Sequence, residues 1–313
     1  MARDRWKRWD ESSVGDMSGV RVVITGGNSG IGLSAAKQLA RAGADVIIAC
    51  RNPLKAEGAL EEIRRDVPGA IVEARILDLA DLASVKAFVD AYRASGEPLD
   101  ILINNAGVMA PPFSHTADGF EMQMGTNHLG HFALTLPLIP LLEASPVARI
   151  VVVASHAHIG GRINFENLNA KRSYVAMHKY GQSKLANLLF AEALRKRLAA
   201  SGSKIRVTSA HPGYTDTALQ YKAQERNQRI IGPVMAWASG VLAQSSDKGA
   251  LPTVRAAVDD FLSAGDYIGP RGLGGLHGYP VVTWRMPWAK DAAVAERLWD
   301  VSEALTGVSW DAE

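Results

Sequence analysis

One cysteine, Cys50, is all that the chain carries in 313 residues. It cannot close an internal disulfide or build a multi-thiolate metal site, and a reducing, cytoplasmic setting fits it. An excess of either charge is also missing. With 34 Lys plus Arg against 32 Asp plus Glu, no electrostatic footprint points to a nucleic-acid partner. Long apolar runs are absent too. One uncharged stretch, 230–246, opens IIGPVMAWASGVLA, but its glycines, proline and polar end do not describe a membrane span. The first 19 residues, MARDRWKRWDESSVGDMSG, lack the apolar centre of a secretory signal and read as a polar extension. Around Trp6 and Trp9, the acids Asp4, Asp10 and Glu11 dilute the positive charge a lipid surface would attract.

Glycine is what the chain has in plenty. Its 29 glycines fall in tight clusters rather than in a repeat, which excludes collagen-like and linker-like chains. From residue 21 a pattern recurs: a short β-branched run, a turn, then a stretch able to form a helix. The runs are 22–25, 45–50, 71–77, 100–103, 148–155 and 204–210. Mostly apolar strands at this spacing predict a parallel sheet covered by helices on both faces, with the strand C-termini on one ligand-binding edge. Residues 214–246 break the rhythm and are expected to cover that edge. KGALPTVRAAVDD reads as a helix after a proline start, GDYIGPRGLGGLHGYPV as a short strand with turns, and about 291–306 as an amphipathic helix ending at Gly307. Five of the seven tryptophans lie at or beyond residue 237, where they are expected to fill a core or a subunit contact.

The loop Gly26-Gly27-Asn28-Ser29-Gly30-Ile31-Gly32 follows the first strand and opens a helix. Gly26, Gly30 and Gly32 would let a pyrophosphate approach the backbone at the helix's positive end, although a plain tight turn has the same look. No Lys-Ser/Thr pair completes a phosphate-hydrolysing loop. Past the second strand stand Arg51 and Asn52. An acid there would bind an adenosine 2′-hydroxyl, whereas Arg51 suits a 2′-phosphate or is simply solvated. Asp78, before Leu79, could accept from an adenine amino group or cap a helix. Asn104-Asn105-Ala106-Gly107 closes the fourth strand with residues small enough for a flat cofactor to pass.

Tyr180 and Lys184 stand four apart on a strong helix pattern and share a face. A lysine held near both a phenol and a positively charged nicotinamide would favour the phenolate, and the tyrosine could then exchange a proton with a substrate oxygen. Ser155 ends the fifth strand 25 residues earlier and could hold that oxygen. Asn127 lies in a helix after the fourth strand, where its amide could hold a water or a kink. His128 and His131 read as packing or surface residues, and no metal ligand set is predicted.

In order, TGGNSGIG, ACRN, the Asp78-Leu79 pair, NNAG, TNHLGHF, VVVASHA, YGQSK and HPG resemble the classical short-chain dehydrogenase/reductase family, particularly its retinol-dehydrogenase-like group. The likeness covers about 20–215 and extends to about 270. It implies a single Rossmann-like, doubly wound α/β domain over 20–313 after the extension 1–19. It also implies a catalytic set of Asn127, Ser155, Tyr180 and Lys184, with Lys184 touching the nicotinamide ribose and Pro212, Gly213, Thr215 and Thr217 beside the nicotinamide. The implied activity is NADP(H)-dependent hydride transfer to or from a hydrophobic ketone, aldehyde or alcohol, by a homodimer or homotetramer. The start lacks that group's membrane anchor, which implies a soluble member. The long serine-to-tyrosine spacing matches the subgroup and borders the substrate pocket. Reduction of an activated carbon–carbon double bond, nucleotide-sugar epimerisation or dehydration, and a noncatalytic NADP-binding regulator are the alternatives.

Overall fold

The computed structural model describes residues 8–215 and 244–310. The strands are β1 (Arg21–Thr25), β2 (Asp45–Cys50), β3 (Val72–Ile76), β4 (Ile101–Asn104), β5 (Arg149–Val153), β6 (Arg206–Ala210), β7 (Tyr267–Pro270) and β8 (Pro280–Val282). They form one sheet in the order β3-β2-β1-β4-β5-β6-β7-β8. All neighbours are parallel except β7 and β8, where Ile268 faces Val282 across an antiparallel pair. The sequence marks only one strand in this last region. Turns rich in glycine separate two strands too short to show a period of their own, which is why β8 was not legible.

Alternation along each strand builds two cores. Val23, Ile47, Leu102, Ile150, Val152 and Val207 face one layer. Val22, Ile24, Val46, Ile48, Ile101, Ile103, Val151 and Val153 face the other. The first layer holds α3 (Leu82–Ser95), the helical segment 122–143, α4 (Ala176–Ala200) and α6 (Ala292–Thr306); the second holds α1 (Gly30–Arg41), α2 (Pro53–Asp66) and α5 (Ser246–Val258). Helix α4 shows no apolar stripe and is buried from Lys179 to Leu194, because α6 packs on the side turned away from the sheet. There Phe132, Phe190 and Trp299 meet with ring centroids 5.0–5.9 Å apart.

Two local expectations change. Helix α5 does not follow its proline: it starts at Ser246, Ser245 caps it by accepting from Lys248 N, and Pro252 lies inside the helix, buried. The cap starts the helix early, and a proline in the second turn deprives only the Lys248 carbonyl of its usual partner. The N-terminal stretch also contributes to the core, with Trp9 and Met17 buried in the α1 layer. Trp6 lies outside the described residues. Helix α6 runs as expected from its Asp291 cap to a left-handed Gly307.

The chain builds β1, β2 and β3 outward, then crosses to β4 on the other side of β1. That reversal opens a crevice at the C-terminal ends of β1 and β4, the place where such sheets bind ligands.

Candidate active site

Thr25 ends β1, and the glycine loop turns there into α1. Gly26 and Gly30 have positive φ, 68° and 52°, which side chains adopt only with strain. Gly32 backs onto Gly26 so closely that a Cβ on Gly32 would lie 2.4 Å from the Gly26 carbonyl oxygen and 2.6 Å from Asn105 Nδ2. Ser29, the N-cap of α1, makes no side-chain bond to the helix. The N–H groups of the first turn, which includes Ile31 and Gly32, are therefore left for an anion. Exposed Ser29 and half-buried Asn28 border them. This cradle fits a pyrophosphate.

At the end of β2, Arg51 is two-thirds exposed and only distantly paired, 4.0 Å from Asp78 Oδ2. Asn52 is committed to α2, its Oδ1 accepting from Lys55 N at 2.9 Å. Asp78 is not a helix cap: its Oδ1 accepts from Ala80 N in a tight turn, and Asp81 caps α3. Leu79 is buried, with its carbonyl against Gly130.

A buried relay joins this loop to the end of β4. His131 Nδ1 lies 3.0 Å from the Asn127 carbonyl, which can only accept, so Nδ1 carries the proton and Nε2 accepts. The Thr25 hydroxyl, 2.9 Å from Nε2, is then the donor, and in turn it accepts from Asn105 N and Ala106 N. Burial holds the His131 pKa down at about 4, consistent with this neutral tautomer. Asn105 Nδ2 adds a bond to Thr25 O. His128, also buried, contacts Ser302 Oγ of α6. Both histidines are packing residues, as expected, and His131 additionally positions the loop.

Asn127 sits in a π-helical turn, Gly125–Leu129. Its Oδ1 accepts from Val108 N at 2.7 Å, while Nδ2 donates to Val108 O and Ser183 Oγ. Both amide hydrogens are spent, so the side chain clamps backbone and has no N–H left for a water. Gly107 lies in tight contact with two side chains of this site. A Cβ there would lie 3.1 Å from Asn127 Oδ1 and 3.3 Å from Lys184 Nζ.

Lys184 is buried and donates to Val153 O at 3.3 Å; its Nζ lies 5.9 Å from the Tyr180 ring centroid. Burial pulls its pKa down to about 8. Tyr180, also buried, has its phenol pKa raised by burial, and a hydrogen bond with Ser155 only partly offsets this. The expected lowering of the tyrosine is thus not a property of the protein by itself; without a cofactor's positive charge, desolvation wins. Ser155 stands at the start of a 3-10 turn, His156–Gly160, that packs backbone to backbone on α4: a Cβ on Gly161 would lie 2.4 Å from the Gly181 carbonyl. This contact seats Ser155 beside Tyr180.

The short chain dehydrogenase model matches residues 21–228. Retinol dehydrogenase 12 of Mus musculus is 40% identical over 93% of this chain and 87% of its own length. For retinol dehydrogenase 13 of Homo sapiens the figures are 41%, 93% and 85%. An uncharacterised Mycobacterium paratuberculosis protein of known structure is 42% identical, covers 97% of this chain and 99% of its own, and superposes with a TM-score of 0.81. The chain belongs to the short-chain dehydrogenase family. It is accordingly an oxidoreductase.

The remaining candidate residues of this short-chain dehydrogenase surround His211-Pro212-Gly213. Gly213 has φ 72°, and a Cβ on it would lie 2.4 Å from the Leu276 carbonyl. The Pro212 carbonyl accepts from Thr215 Oγ1 at 3.0 Å and Gln244 Nε2 at 2.6 Å. Thr215 is buried, its hydroxyl turned to Pro212 and its side chain against Gly249 of α5. Thr217 and most of the expected covering segment, 216–243, lie outside the described residues. Reading the sequence missed Thr25, His131, Gln244 and the Gly161/Gly181 contact. Each acts on a partner far along the chain, so no local spacing marked it. Among the described residues no helix is long and apolar enough to cross a membrane, and no group of three or more His, Cys, Asp or Glu could hold a metal ion.

Proposed function

We propose that this short-chain dehydrogenase reversibly reduces a hydrophobic ketone or aldehyde to the alcohol, with Tyr180 as the proton donor and Ser155 as the group that orients the reacting oxygen. The observation that carries this reading is the meeting of three groups: buried Tyr180 beside half-buried Ser155, and buried Lys184 beside the Tyr180 ring and against Gly107. A protonated phenol is the form that burial favours, and it is the form an acid needs.

The first turn of α1 would hold the pyrophosphate, and Arg51 would pair with the adenosine 2′-phosphate. The bound nicotinamide supplies or accepts hydride at the substrate carbon. In reduction, Tyr180 Oη gives its proton to the oxygen while the Ser155 hydroxyl holds it. Lys184, in its ammonium form, then stabilises the phenolate until a proton returns. Asn127 contributes by clamping Val108, which fixes the strand-end loop at Gly107. The size of the contributions is bounded in general terms: a positioned acid contributes about 10²- to 10⁴-fold.

Apolar side chains support the substrate class. Phe113, Val175 and Met177 are exposed near the start of α4, with Phe113 packed on Tyr174 at 5.2 Å. The relatives named retinol dehydrogenases point to the same class of hydrophobic alcohol and aldehyde. Fluorescence titration with NADPH and NADH, followed by a panel of ketones, aldehydes and enones, tests the reading. Turnover confined to enones would replace carbonyl reduction with double-bond reduction, and tight NADPH binding with no turnover would leave a regulator.

A further inference from the structure

We infer that His158 is a positioning residue for Ser155, tying the proposed catalytic serine to a strap formed by residues 285–288; the inference rests on the role proposed for Ser155. His158 is buried to 2% exposure. Both ring nitrogens and the backbone N–H point at the serine or at the strap, and the carbonyl is shared between Gly161 N and the strap. The Ser155 carbonyl accepts twice from this one residue, from His158 N at 3.1 Å and from Nδ1 at 2.7 Å. Two donors on one carbonyl fix the peptide plane that leaves Ser155.

Because a carbonyl only accepts, Nδ1 carries the ring proton and Nε2 is the acceptor. Nε2 faces Met286 N at 3.5 Å, the direction that tautomer requires. The His158 carbonyl accepts from Trp288 Nε1 at 3.3 Å. The strap is itself anchored: Arg285 Nη2 reaches Glu192 of α4 at 2.8 Å, and the Arg162 guanidinium lies 3.8 Å over the Trp288 ring. Tyr267 presses edge-on to the imidazole at 5.7 Å. A purely packing side chain here would need no polar ring atoms, since burying them without partners is unfavourable. Each ring nitrogen instead has one partner, of the right polarity, on opposite sides of the ring.

The test uses the full chain with NADPH and nonanal, or the best carbonyl of the panel. His158→Leu removes both ring bonds. His158→Asn keeps a donor in place of Nδ1. Met286→Pro deletes the N–H opposite Nε2, at a φ of −60° that proline accepts. The His158→Leu variant is expected to lose about 10- to 100-fold in kcat, as small misplacements of reacting groups do, with the NADPH Kd unchanged. His158→Asn should recover most of that loss, and Met286→Pro should show a smaller fall of the same kind. Parental kcat in a folded His158→Leu protein, no recovery in His158→Asn, or parental kcat in Met286→Pro overturns the inference. Should His158→Leu not fold, the other two variants decide. Ser155→Ala separates the two readings. If it keeps parental turnover, the role of Ser155 has failed; if it loses turnover while the His158 variants do not, only the role of His158 has.

Discussion

Gly32 rests on Gly26 so tightly that the space for a side chain on the first is taken by the carbonyl oxygen of the second, 2.4 Å from where a Cβ would stand. The obstacle is backbone, which cannot rotate away, so the loop must shift to admit even a methyl. Gly32→Ala is expected to destabilise the protein by about 1–3 kcal/mol, the range for overpacking. It should weaken NADPH binding at the same time, because the shift moves the first-turn amides of α1. Thermal melts with and without NADPH check both effects; an unchanged ligand-induced rise in Tm would separate the loop from cofactor binding.

Tyr180→Phe removes the proposed acid and leaves the cofactor cradle untouched. NADPH titration should be unaffected, while kcat for carbonyl reduction falls about 10²- to 10⁴-fold. Near-parental reduction by this variant would falsify the assignment.

Much of this candidate site is legible in the sequence, and the reason is physical. Groups that act through the backbone leave local marks: Gly26, Gly30 and Gly32 advertise close approach, and Tyr180 and Lys184 share a helix face through their spacing. The same holds for strands β1 to β6, whose β-branched runs carry their own boundaries. What was not legible works across the chain. Thr25 and His131 are 106 positions apart and meet at 2.9 Å; neither has a neighbour that announces the other. Helix α4 hid its packing for a related reason, since burial all round erases the stripe from which a packing face is read.

Arg51 is proposed to carry the preference for the phosphorylated cofactor. A charge-assisted hydrogen bond contributes about 1.5–3 kcal/mol, so Arg51→Ala should weaken NADPH binding by roughly 10- to 150-fold. NADH, with no 2′-phosphate, should bind about as before. Parallel titrations of the two cofactors give the ratio directly, and an equal loss for both would mean that Arg51 supports the fold of the edge instead.

Lys184 sets a pH dependence. Its ammonium form is disfavoured by burial, with a pKa of about 8 in place of the ordinary lysine value near 10.5. The proposed relay needs that ammonium, so carbonyl reduction should be flat below about pH 8 and decline as pH rises through it. In Lys184→Arg the charge persists to much higher pH, and the declining limb should disappear even if the overall rate is lower. A limb that stays near pH 8 in that variant belongs to another group.

The sheet order has a consequence for how activity emerges during folding. β4 pairs with β1 across a detour through β2 and β3, and the Ser155 turn settles only when α4 and the strap 285–288 have both arrived. Contacts between such distant segments form slowly, because the intervening chain must be closed into loops first. Helical signal and hydrophobic collapse can therefore precede a competent active site. Turnover, more than circular dichroism, would report the final docking step of refolding.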